Sequence, residues 1–138
     1  MSNLLTDTNV ILDLLAKREP FYDSAARLFS LADKKKVILS VSSLTLANIN
    51  YVLTRLKSAD KSKEILRRFR VLVKVLSLDD KVIDLALNDN KFKDFEDGLQ
   101  YYSAIENGQE IIITRDLSGF KGSQIPVMTP EEYLVSIE

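Results

Sequence analysis

Three acidic residues stand where an apolar strand ends or a helix begins. In the stretch NLLTDTNVILDLL, Asp7 follows a short strand-like segment, and in IIITRD, Asp116 follows another. Asp97 lies in the acidic stretch KDFEDGLQ, at the start of a helical pattern. Carboxylate oxygens bind hard cations such as Mg²⁺ and Mn²⁺. If the fold brings the three acids together, they form an oxygen-only metal site suited to hydrolysing phosphodiesters.

Each of these acids also has a purely structural explanation. Asp is a good N-cap, so Asp7 could simply begin the helix that follows it. Acids in a first helical turn, such as Asp94, Glu96 and Asp97, complement the helix dipole. Three acids within four residues nevertheless repel one another, and a bound cation relieves that repulsion. A second acid at a second strand end also favours a site over isolated caps.

Composition limits the chemistry that is possible. The chain contains neither Cys nor His, which excludes disulfides, thiolate zinc sites and an imidazole base. Its 138 residues, 46% of them hydrophobic, are enough for one domain spanning 1–138. The net charge of −1 means that any nucleic-acid binding needs a local basic patch. No apolar run approaches the roughly 18 residues of a membrane span, so we expect a cytoplasmic protein that does not bind membranes.

Strand and helix patterns alternate along the chain. Strands are predicted at residues 3–6, 37–42, 73–78, 110–114 and 125–129. Helices are predicted at residues 9–16, 21–36, 43–56, 60–71, 81–89, 95–108 and 130–138. This order predicts a three-layer α/β/α sandwich around a central parallel sheet. Ligands of such sheets bind at the carboxyl ends of the strands, which is where Asp7 and Asp116 fall.

Four stretches taken together resemble one known family. LLTDTNVILDLL, VSSLTLANINYVL, DFEDGLQYYSA and IITRD are similar to the acid-bearing segments of PIN-domain ribonucleases, in particular the toxin-like branch of toxin–antitoxin systems. MTPEEYL near the C-terminus is also typical of that branch, so the resemblance covers nearly the whole chain. It implies a PIN-like fold and an endoribonuclease that hydrolyses RNA with Mg²⁺ or Mn²⁺. It also implies an antitoxin protein as a possible partner.

The resemblance assigns roles residue by residue. It gives metal binding and catalysis to Asp7, Asp97 and Asp116. Asn9 and Thr114 match polar positions that help to hold the site. The family's usual second acid, a Glu on the helix after the second strand, falls at a neutral residue.

That neutral residue is Asn48. An Asn on a mostly apolar helix could cap a backbone group or reach solvent, but its amide oxygen can also coordinate a hard cation without adding charge. We favour a position lining the site, because the family places an acid there. Glu96 is expected to support the site, and Arg115, beside Asp116, could contact a phosphate.

Two other functions can be compared with the sequence. A non-catalytic PIN-like module could keep the acidic pocket but use it to hold RNA or a protein. A phosphotransfer protein is disfavoured, because DTN lacks the second acid of a D-x-D motif and VILSVS ends without an acceptor Asp.

The sequence also predicts an oligomeric state. PIN-like domains commonly pair through their early helices. The apolar positions of residues 21–32 and 51–72 exceed what a small core needs, so we expect a homodimer.

Overall fold

The computed structural model describes residues 1–138 and contains one sheet of five parallel strands in the order β3-β2-β1-β4-β5. The strands are β1 (Ser2–Thr6), β2 (Val37–Ser42), β3 (Val73–Leu76), β4 (Ile111–Ile113) and β5 (Val127–Met128). In the central pair, Thr6 of β1 is in register with Ile113 of β4. The residues that follow these two strands, Asp7 and Thr114, therefore lie side by side at the carboxyl edge of the sheet.

Seven helices accompany the strands, six of them between strands and the last after β5. They are α1 (Thr8–Leu15), α2 (Tyr22–Asp33), α3 (Ser43–Leu56), α4 (Ala59–Phe69), α5 (Asp80–Asn88), α6 (Phe95–Glu106) and α7 (Pro130–Ser136). Short 3₁₀ turns follow at Arg70–Leu72 and Leu117–Phe120. Every predicted helix is present, with ends that differ by one or a few residues. No helix has both the length and the apolar character needed to cross a membrane.

Successive strand residues face opposite layers of helices. Leu4 lies in a large apolar cluster with residues of α1, α2, α3 and α4, whereas Leu5 lies in a second cluster with residues of α6. Ile113 and Ile112 of β4 divide between the same two clusters. This alternation covers the sheet on both faces. The predicted three-layer α/β/α sandwich is confirmed.

Side-chain caps set the helix starts that position the site. The Ser42 hydroxyl accepts a hydrogen bond from the backbone of Thr45 at the start of α3. The Asp94 carboxylate accepts one from the backbone of Asp97 at the start of α6. These caps satisfy backbone N–H groups that the first helical turn leaves free. They also define where α3 and α6 begin.

Candidate active site

Asp7 is both a helix cap and the most constrained acid at the carboxyl edge. Its Oδ1 accepts hydrogen bonds from the backbone N of Thr8 at 2.8 Å and from Nε2 of Gln100 at 3.1 Å. Its Oδ2 accepts from the hydroxyl of Thr114 at 2.8 Å. The capping role offered by the sequence is therefore confirmed, and capping α1 also fixes the Asp7 carboxylate at the edge of the sheet. The metal-binding role stays a prediction.

Thr114 connects the acids that follow β1 and β4. Its buried hydroxyl donates to Asp7 and accepts from Nδ2 of Asn9 at 3.2 Å and from the backbone N of Asp116 at 3.0 Å. The Asn9 side chain also accepts from the backbone N of Arg115 at 3.2 Å. Thr114 and Asn9 thus hold the loop after β4 against the start of α1.

Asp97 faces the other acids without a cation beside it. It is half-buried, and none of the ion pairs in the chain includes it. Burial, the largest cause, and the charges of Asp94, Asp7, Asp116 and Glu96, in that order, together raise the pKa of Asp97 to about 7. The charged form of this carboxylate is unfavourable because it is half-buried among other acids, and a bound cation would stabilise it.

A glycine keeps the space between two of the acids open. A Cβ at Gly119 would lie only 2.7 Å from Oδ2 of Asp97 and 2.7 Å from Oδ2 of Asp116. The backbone N of Gly119 donates to Oδ1 of Asp116 at 3.2 Å. Any larger residue at this position would push the two carboxylates apart or fill the gap between them.

The acids open onto a pocket of about 300 Å³. Its lining is mostly polar and consists of Asp7, Thr8, Asn9, Leu12, Arg18, Leu44, Asn48, Glu96, Asp97 and Gln100. The structure therefore brings together Asp7, Asp97 and the expected supporting residues Asn48 and Glu96. Asp116 is exposed at the rim, next to Asp97, and does not line the pocket itself.

The donor chemistry of this region fits a hard divalent cation, although the acids are not gathered around one point. The available donors are carboxylate, amide and hydroxyl oxygens, which are the ligands that Mg²⁺ and Mn²⁺ prefer. Burial and the charges of the neighbouring acids raise the pKa of Asp97, and no basic group pairs with it. No three Asp or Glu side chains are close enough to hold an ion between them as they stand. Binding would require these side chains to close around the ion.

Arg115 lies outside the acidic pocket. Its Nε and Nη2 donate to the two carboxylate oxygens of Asp13 at 2.6 and 3.1 Å, and its guanidinium carbon lies 3.7 Å from the centre of the Phe21 ring. It lines a separate hollow that also contains Phe21 and Pro130. This placement does not support the expectation that Arg115 contacts a phosphate at the site.

Sequence reasoning missed two polar residues that organise the site. Gln100 is buried, and its amide donates to both Asp7 and the hydroxyl of Thr45. Its position three residues after Asp97 on α6 is a helical spacing that could have indicated a shared face. Arg18 reaches the pocket from the loop after α1, and no periodic pattern predicts that approach.

Comparisons with known proteins agree with this architecture. Residues 3–118 match the PIN domain family. Ribonuclease VapC1 of Aquifex aeolicus is 29% identical over 133 residues, which are 94% of this chain and 92% of that protein.

Two solved structures share the fold at low sequence identity. VapC20 of Mycobacterium tuberculosis, described as a sarcin–ricin loop cleaving toxin, has a TM-score of 0.66 and 16% identity over 86% of this chain and 95% of its own. A toxin–antitoxin complex from Klebsiella pneumoniae has a TM-score of 0.70 and 17% identity over 92% of this chain and 97% of its own. The family match spans most of the chain, and the strands, helices and acidic edge of the structure agree with that match. This protein belongs to the PIN domain family.

Proposed function

We propose that this protein is a toxin-type endoribonuclease that hydrolyses RNA phosphodiesters with the help of Mg²⁺ or Mn²⁺. The observation that supports this most directly is the meeting of Asp7, Asp97 and Asp116 at the carboxyl edge of a PIN domain, with Asp97 uncompensated. The similar proteins from Aquifex aeolicus and Mycobacterium tuberculosis, a ribonuclease and a sarcin–ricin loop cleaving toxin, support RNA as the substrate. An RNA substrate is consistent with action in the cytoplasm.

Asp7, Asp97 and Asp116 would hold the metal. When bound, a divalent ion lowers the pKa of a coordinated water and neutralises charge on the phosphate. Thr114 and Gln100 orient the Asp7 carboxylate through their hydrogen bonds, so Asp7 is ordered before any ion arrives. The protein's own contribution is therefore a partly preorganised set of oxygen ligands.

The decisive experiment measures cleavage of single-stranded RNA with Mn²⁺ or Mg²⁺. Asp7→Asn, Asp97→Asn and Asp116→Asn should each lower the cleavage rate by about 100-fold or more, since metal-assisted stabilisation is worth several kcal/mol. Asp23→Asn is the matched control, because Asp23 is an exposed acid on α2 that lines no pocket described above. A folded parent protein that leaves diverse RNAs intact in millimolar Mn²⁺ contradicts the proposal.

A non-catalytic RNA-binding module is the second candidate. Two observations favour it: no three acids are gathered closely enough for an ion, and Asn48 contributes no charge to the pocket. Calorimetric titration with Mn²⁺ separates the two candidates. The enzyme binds Mn²⁺ and cuts RNA, whereas the binding module holds RNA but does neither.

An antitoxin and a second copy of the chain are the proposed protein partners. The similar complex from Klebsiella pneumoniae contains a toxin and an antitoxin, which supports the first proposal.

For the dimer, the sequence argument relied on apolar positions in excess of the core, and the structure shows which of these positions are exposed. Leu28 and Phe29 of α2 belong to the chain's own core, and the large exposed apolar side chains of the segment 51–72 are Tyr51, Leu56 and Val71. Light scattering at tens of micromolar tests the dimer, and a monomeric mass contradicts it.

A further inference from the structure

Arg18 is the one basic residue that lines the acidic pocket. It lies in the loop after α1, and 41% of its side chain is exposed. Its only ion pair is with Asp13, which is not among the pocket residues. The pocket acids Asp7, Glu96 and Asp97 therefore do not neutralise it, although they line the same space.

Two hydrogen bonds hold the Arg18 guanidinium in place. Its Nε donates to Oδ1 of Asp13 at 2.9 Å, and its Nη2 donates to the backbone carbonyl of Asn9 at 2.9 Å. The Asp13 side chain is only 1% exposed, and Arg115 binds its second oxygen. A carboxylate fixed in this way cannot move to follow Arg18, so it anchors the plane of the guanidinium.

The anchored group keeps both positive charge and free donors. The single negative charge of Asp13 is shared by the two positive charges of Arg18 and Arg115, which leaves the three side chains with a net charge of +1. Two of the five guanidinium N–H groups of Arg18 are used in the bonds to Asp13 and Asn9. The remaining N–H groups are free to bind, and a guanidinium recognises the oxygens of a phosphate in a fork geometry.

We infer that Arg18 binds a backbone phosphate of the RNA strand in the acidic pocket, with Asp13 as the residue that anchors it. The inference rests on the proposed function in one respect, namely that the phosphate belongs to RNA. Among the carboxylates of the pocket, an RNA strand would otherwise meet only negative or neutral side chains. The anchored guanidinium supplies the one fixed positive contact beside the expected metal ligands.

The test measures binding separately from cleavage. Fluorescence anisotropy with a labelled single-stranded RNA in Ca²⁺ gives the dissociation constant at several salt concentrations. Arg18→Gln should weaken binding by about 10- to 100-fold, the value of one charged hydrogen-bonded contact. It should also reduce the salt slope of the logarithm of the binding constant by about 0.7, as expected for one lost phosphate contact on a single strand.

Matched variants show whether the effect is specific to Arg18. Arg27→Gln removes an exposed arginine of α2 that pairs with Asp23, and it should change neither the affinity nor the salt slope. Arg18→Lys keeps the charge but loses the fork, so it should keep the parent's slope and lose about tenfold in affinity. Thermal melting establishes that each variant is folded. Should Arg18→Gln fail to fold, Arg18→Lys decides, because unchanged affinity in that variant overturns the inference.

Binding and cleavage are measured separately, so this inference can fail while the proposed function stands, and the reverse. Equal salt slopes in the parent and in Arg18→Gln overturn the phosphate contact, as does a parent that fails to bind RNA. Cleavage is assayed in parallel with Mn²⁺. A parent that shows the Arg18-dependent slope but cuts no RNA contradicts the ribonuclease proposal and leaves the phosphate contact standing.

Discussion

Two carboxylates of this protein, Asp13 and Asp97, have opposite electrostatic surroundings. Asp13 is 1% exposed and binds two guanidinium groups, those of Arg18 and Arg115. Asp97 is half-buried, has no basic partner and faces four other acids, which together with burial raise its pKa to about 7. The negative charge of Asp13 is fully compensated by two arginines of the protein. The negative charge of Asp97 has no such partner and can be compensated only by a bound ligand.

The difference separates a structural acid from a functional one. A buried charge is tolerated only when paired and hydrogen-bonded, and Asp13 meets that requirement. The uncompensated charge around Asp97 makes the metal-free protein less stable but gives a cation a place where its binding is favoured. Acidity alone does not identify such a site; the absence of a protein partner does.

The largest expected effect is on folding, at Asp13. Asp13→Asn leaves two arginines without their shared counter-ion, and removing one partner of a buried ion pair costs about 3 to 5 kcal/mol in the free energy of unfolding. Urea unfolding followed by circular dichroism measures this loss. The exposed ion-pair acid Asp23, changed to Asn, serves as the control and should unfold like the parent. If the two variants are equally stable, the Asp13 network does not hold the fold.

The second expected effect is on metal binding, at Gly119. Gly119→Ala places a methyl group 2.7 Å from the carboxylates of Asp97 and Asp116, where the ligands must close around an ion. Overpacking of about 1 to 3 kcal/mol should weaken Mn²⁺ binding by about 5- to 100-fold in calorimetry. Gly122→Ala is the control, because its Cβ meets Lys91 at 2.9 Å and no carboxylate. Equal Mn²⁺ affinities in the two variants would place the metal elsewhere.

The sequence predicted the fold because its signals are local. Five apolar strand patterns alternating with amphipathic helices leave few arrangements other than a parallel sheet covered on both faces. The strand-end acids Asp7 and Asp116 follow from the same argument, since parallel strands end at one edge. The predicted start of the last helix at residue 130 is also confirmed, since Pro130 is the first residue of α7 and the side chain of Thr129 caps the helix.

The parts that sequence could not predict depend on side-chain direction outside regular structure. Arg115 follows a strand directly, and only the fold shows that its guanidinium turns to Asp13 rather than to the acids. Arg18 reaches the pocket from an irregular loop, for which neither a period of 3.6 nor one of 2 exists. The metal-ligand roles of Asp7, Asp97 and Asp116 stay predictions, because their carboxylates are not gathered around one point.

The third expected effect is an increase in metal affinity, at Asn48. Asn48→Glu adds a carboxylate to the lining of the acidic pocket, and a unit charge near a dication is worth roughly 1 to 2 kcal/mol in a well-solvated site. Mn²⁺ binding should tighten by about 5- to 30-fold in calorimetry. Ala47→Glu adds the same charge at an exposed neighbouring position of α3 and should have little effect. If both variants bind Mn²⁺ like the parent, Asn48 does not contribute to the ligand set.

The last expected effect is on the pH dependence of stability, at Asp97. Burial and the neighbouring acids raise the pKa of Asp97 from 3.8 to about 7, so between these values the folded protein keeps a proton that the unfolded chain releases. The stability of the metal-free protein should therefore fall as pH rises from about 4 to about 7. Asp97→Asn removes this titration, so in EDTA it should melt at a higher temperature than the parent at pH 8 and at nearly the same temperature at pH 4. Asp23→Asn, at an exposed ion pair, is the control, and its melting temperature should not depart from the parent's at pH 8. The prediction is contradicted if the melting temperatures of the parent and of Asp97→Asn differ by the same amount at both pH values. The acids around Asp97 would then not destabilise the folded state. The contrast between Asp97 and the compensated Asp13 would then have no energetic basis.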